Sequence, residues 1–184
     1  MVVVNKFFGA LLLLTTSTLT FAAEPYFKAG WSAYSIRNFT GNPTLDSERA
    51  KGNGFHLGAG VRKKLGGDHY IGAGIDLDSI AGQHMTGYRA IDYQYQLSKL
   101  IVIGSFFGAA SLDSGLPQNG YYTGINLSYT PSVQNLGLVF EIRYASGLAR
   151  DKLLDTDPQN LTDEYIPDIF ADITSGALLL NWRF

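Results

Sequence analysis

The chain of 184 residues holds three histidines, His56, His69 and His84, and no cysteine. The missing thiol removes disulfide scaffolds, thiolate zinc sites and thiol nucleophiles together. Nucleophilic hydrolysis by a serine needs a base within hydrogen-bond reach and an acid behind that base. Those residue types crowd only around His84, with Ser79, Asp78 and Asp76 nearby in sequence. A triad there requires a convergence of side chains that spacing alone does not supply, so a solvated loop histidine is expected. His69 falls in the turn LGGDH. The flanking segments HLGAGV and YIGAGI, folded about Gly66, set Gly58 opposite Gly74, Gly60 opposite Gly72 and His56 opposite Asp76. A histidine–aspartate pair is a candidate base or proton-sensitive gate; here we expect one satisfied polar pair.

Other motifs carry less. Gly58-Ala59-Gly60 is followed by Lys63 where a dinucleotide fingerprint needs a third glycine, and no helix opens there. The RKK at 62–64 reads as an inward arginine beside interface lysines. The segment 147–170 carries Asp151, Asp155, Asp157, Asp163, Glu164 and Asp168 without EF-hand spacing. A solvated acidic loop is the expectation, with no metal and no cofactor.

Composition narrows the class. With 14 Lys+Arg against 16 Asp+Glu and a formal charge of -2, nothing provides the basic footprint on which nucleic-acid binding rests. No apolar run of about 18 residues offers a helical membrane span. The start reads as Lys6, an apolar block from Phe7 to Leu14, and a small-residue exit at Ala22 and Ala23. That is the pattern of a secretory signal peptide over 1–22, leaving a domain over 23–184.

Period-two alternation dominates the rest. It predicts strands near 26–37, 55–65, 69–79, 86–98, 100–111, 119–130, 135–146 and 171–184. In the seventh, Leu136, Leu138, Phe140, Ile142 and Tyr144 share one face, while Glu141 and Arg143 lie on the other. The fifth, LIVIGSFFGAA, is apolar on both faces and its orientation stays open. Connections alternate between long and short, which predicts an all-β, eight-stranded, antiparallel up-and-down transmembrane β-barrel with short periplasmic turns and longer external loops. A soluble lipocalin-like barrel also alternates but turns its apolar face inward. The polar column decides between them: it holds glycines and opposed charges rather than the Lys, Glu and Thr of a wetted surface. We therefore place His56, Arg62, Asp76, Asp92, Glu141, Arg143 and Arg183 in a lumenal polar network. Eight strands leave an interior just wide enough for side chains to fill, so no conducting pore is expected. Facing glycines should admit a large lumenal ring, with Tyr34 or Tyr122 as candidates. Outside, Trp31, Tyr93, Tyr95, Tyr121, Tyr129, Tyr144 and Trp182 suit headgroup depth.

The last strand, SGALLLNWRF, puts Leu178, Leu180, Trp182 and the terminal Phe184 on one face. It resembles the C-terminal recognition signal of bacterial outer-membrane barrels. With the leader, the whole mature chain is similar to the small eight-stranded barrels of the OmpA and OmpX type. The resemblance implies residence in the cell outer membrane, contact with outer-membrane lipids and lipopolysaccharide, periplasmic chaperones, and insertion by the barrel-assembly machinery with Trp182 and Phe184 as the assembly signal. We expect a monomer, not an enzyme, with a structural or surface-interaction role. The alternatives are a lipid A modifying hydrolase, which would need His84, and a small-solute channel.

Overall fold

In the computed structural model the described residues are 23–39, 49–113, 119–131, 135–150 and 169–184. The signal peptide over 1–22 and the acidic stretch 151–168 lie outside them. Eight strands form one closed antiparallel barrel in chain order: β1 Ala23–Phe39, β2 Ala50–Gly66, β3 His69–Ile80, β4 Gln83–Gln96, β5 Ile101–Asp113, β6 Asn119–Tyr129, β7 Leu136–Arg150 and β8 Ile169–Arg183. β1 closes on β8 with Tyr26 opposite Arg183 and Phe39 opposite Phe170. Both termini of the barrel therefore share one end, called here the terminal end.

Polarity is inverted relative to a soluble barrel. Outward residues are the exposed apolar ones, among them Phe55, Ile75, Leu77, Ile125, Phe140, Ile142, Leu178 and Leu180. Lys28, His56, Asp76, Asp78, Arg89, Asp92, Glu141 and Arg143 are buried inside. The tyrosines and tryptophans assigned to the outer face lie there: Trp31 meets Phe55 edge-on at 5.9 Å, and Trp182 meets Phe27 at 6.1 Å. β5 is settled as well. Val102, Phe106, Ala110 and Leu112 are buried inside, while Ile101, Ile103 and Phe107 are exposed.

Three details differ from the sequence reading. The β2–β3 hairpin turns at Gly67–Asp68 with an irregularity between Lys64 and Gly66, so His56 faces Asp78, Gly58 faces Asp76 and Gly60 faces Gly74. The register moves by two residues, which keeps every side chain on its face while changing its partner. The turn centre moves because Gly66 and Gly67 both take positive φ, 145° and 55°, letting the chain reverse one residue later. The medium loop read at 80–85 is a two-residue turn, Ala81–Gly82, with φ of 51° and 79°. β4 consequently starts at Gln83, and His84 is a strand residue. Finally, the end of the lumen opposite the termini is apolar: Ile36, Ile80, Met85, Ala110, Leu112, Leu148 and Ile173 pack there in one buried cluster. Alternation assigns a face, not its polarity, so this layer was not separable from the outward columns by pattern alone.

Candidate functional site: the lumenal charge network

The lumen is crossed by charged side chains delivered from five strands. Glu141 of β7 accepts from Arg89 Nη2 of β4 at 2.5 Å and from Lys28 Nζ of β1 at 3.2 Å. Asp76 of β3 accepts from Arg89 Nε at 2.6 Å and from the Tyr122 hydroxyl at 2.8 Å, with Lys28 Nζ at 3.9 Å. Arg143 donates to Asp78 at 2.9 Å and also touches His56 Nδ1 at 2.5 Å. His56 Nδ1 lies 3.0 Å from Asp78 as well. One ring nitrogen cannot both donate to the carboxylate and accept from the guanidinium. With Nδ1 accepting, Nε2 carries the proton and faces Asp76 at 3.6 Å.

Nearer the terminal end, Asp92 gathers Arg62 Nη2 at 3.1 Å, the Tyr26 hydroxyl at 3.0 Å and Gln94 Nε2 at 2.8 Å. Rings support the cations: Arg62 lies 4.0 Å from the Tyr26 ring centroid and Arg89 lies 3.8 Å from that of Phe106. Four cations, Lys28, Arg62, Arg89 and Arg143, thus meet four carboxylates, Asp76, Asp78, Asp92 and Glu141. Such equality is what burial demands, because an unmatched charge in a low-dielectric interior is costly.

Of the residues singled out from sequence, His56, Asp76, Glu141 and Arg143 come together, and Arg62 and Asp92 form the adjoining cluster. Arg183 stands apart, half-buried beside a cavity of about 30 Å³ that Arg62, Tyr70 and Gln96 also line. Trp182 and Phe184 lie outside on the last strand, Phe184 fully exposed. Lys63 and Lys64 are exposed, and Lys64 sits 5.7 Å from the Tyr70 ring.

Arg89, which ties the two largest clusters together, escaped the sequence reading. An irregularity in β4 between Arg89 and Ile91 changes the parity of the strand, so Met85, Gly87 and Arg89 face inward on odd numbers while Asp92 and Gln94 do so on even ones. The structure shows the break directly: Tyr88 and Tyr93 are both outward yet five residues apart, which a regular strand forbids.

The ring that fills the space beside the β2–β3 glycines is Tyr26, not Tyr34 or Tyr122. A Cβ on Gly74 would stand 2.6 Å from its hydroxyl. Tyr122 presses instead on Gly87, and Tyr34 on Gly52. The β1–β2 register accounts for this, since it sets Tyr26 beside Gly60 and Tyr34 beside Gly52.

Two groupings hold residue types capable of chemistry. His56, Asp76 and Glu141 bring ligand-type atoms within 4.8 Å of one another, but Lys28 and Arg89 already bond across that space. His84 is exposed and pairs with Ser79 across β3–β4, whereas Asp76 and Asp78 face the lumen and serve Arg89 and Arg143. Neither Asp76 nor Asp78 serves His84, whose register partner on β5 is Asp113.

No family model matches the sequence, and no curated protein matches it. Among solved structures the chain is similar to Ail of Yersinia pestis in complex with the heparin analogue sucrose octasulfate: 14% identity, 88% of this chain and 99% of that one covered, TM-score 0.49. It is likewise similar to OprG of Pseudomonas aeruginosa, with 8% identity, 89% and 96% coverage and TM-score 0.49. Neisserial surface protein A gives 16% identity, 86% and 95% coverage and TM-score 0.43. The architecture, by its own strand pairing, is a closed eight-stranded antiparallel barrel.

Proposed function

We propose that this chain is an outer-membrane barrel with a closed interior that works through its outer and external surfaces, as an envelope or surface-interaction protein. One observation carries the reading: matched, buried charges cross the middle of the lumen while the opposite face of the same strands is apolar and exposed. Lipid is the solvent that rewards that arrangement, because a barrel satisfies every backbone group internally and leaves outward side chains to meet hydrocarbon. An interior filled by arginines and tyrosines leaves no solute path. The apolar layer behind it at the loop end adds a second seal. Function then falls to the connections at that end and to the belt.

The experiment is fractionation of the expressed full chain with heat-modifiable gel mobility. The reading expects the protein in the outer-membrane fraction, migrating faster unheated than boiled. Recovery in the soluble periplasm, or one mobility under both conditions, overturns it. Deletion within 151–168 should leave that mobility shift intact and abolish any surface binding that the full protein shows.

A further inference from the structure

On the outer face a groove of about 550 Å³ crosses β4 to β7. Its shape follows from the register: Tyr88 of β4, Ala109 of β5 and Tyr121 of β6 lie side by side on one level. Neighbouring strands are about 4.8 Å apart, so the two tyrosine backbones stand about 9.6 Å from each other with only a methyl group between them. Phe107, whose ring lies 6.2 Å from that of Tyr121, lines the side toward the barrel middle. The floor includes the backbone of Gly108 and Gly120, two positions that face the lumen. Toward the loop end the outward positions turn polar, at His84, Thr86 and Ser111, with Ser146 beside Tyr121. Toward the barrel middle they are apolar, at Ile91, Ile125 and Ile142.

Resting on the membrane reading above, we infer that this groove is a binding slot for one acyl chain of an outer-leaflet lipid. The slot is one chain wide, walled by aromatic rings, and continuous with the apolar belt. Its polarity gradient runs as a lipid does, from headgroup linkage to hydrocarbon. A second copy of the barrel would present a row of apolar side chains broader than the gap between Tyr88 and Tyr121. A chain of methylenes fits between them and gains the dispersion contacts that a bare Ala109 forgoes.

The test uses the full chain in phosphatidylcholine vesicles containing a minor fraction of phosphatidylcholine with a mid-chain diazirine. After photolysis, adducts are mapped by peptide mass spectrometry, scaled to each residue's exposed area, and compared with those on Ile75 and Leu77, outward on β3. Adducts on the peptides carrying Tyr88, Phe107 and Tyr121 should exceed the β3 peptides at least threefold, and Ala109→Trp should abolish the excess. Adducts spread around the belt in proportion to exposure overturn the slot, as do protein–protein cross-links through this face. If Ala109→Trp fails to insert, Ala109→Leu takes its place, and the wild-type map stands by itself. Vesicle flotation separates the two claims: a protein that does not float refutes the membrane reading and the slot with it, whereas one that floats with an even map refutes the slot alone.

Discussion

Glu141 binds Arg89 and Lys28 together, so Glu141→Ala leaves two buried cations short of a partner at once. Removing one member of a buried ion pair typically costs about 3–5 kcal/mol. We expect a loss of that order in the urea midpoint for unfolding from vesicles, followed by heat-modifiable mobility. An unchanged midpoint would mean that water reaches the network. Glycines offer a finer test. Gly87→Val places a branched side chain where a Cβ already stands 2.6 Å from the Tyr122 ring, and overpacking of this kind costs about 1–3 kcal/mol. Gly176→Ala meets nothing within 4 Å and should leave the unfolding free energy within about 0.5 kcal/mol of wild type.

Strand β4 carries the parity change that puts both Arg89 and Asp92 inside. Deleting Ala90 removes the extra residue and restores regular alternation, with Arg89 and Asp92 two positions apart and both still inward. An arginine turned to the lipid side costs about 2–4 kcal/mol at the bilayer centre, and this deletion turns none. It should therefore leave the fast-migrating gel form intact, as should a deletion within 151–168. Leu178→Arg, in the middle of outward β8, should cost a similar 2–4 kcal/mol in the same urea assay. These contrasts also show what was legible in the sequence. Strand number, order and most facings follow from alternation, because Leu136 to Tyr144 and Leu178 to Phe184 keep a strict period. What was missed lies where the period breaks: Arg89 behind the β4 irregularity, the His56 partner behind the Gly66–Gly67 turn, and β5, whose two faces are equally apolar. A pattern of period two carries no information across an inserted residue.

As a whole, the molecule is a barrel turned inside out, with a balanced ionic interior between a shallow cavity at the terminal end and an apolar layer at the loop end. Neutrality is a property of the set and of no single pair. Arg89, shared between Asp76 and Glu141, and Asp76, shared among Arg89, Tyr122 and Lys28, make the clusters one unit. Closure of that unit is tested most directly by electrical recording from the refolded full chain in planar lipid bilayers at neutral pH. The account predicts a flat current trace, with protein in the membrane verified by its gel mobility. Discrete, reproducible conductance steps from protein in the same state would contradict it.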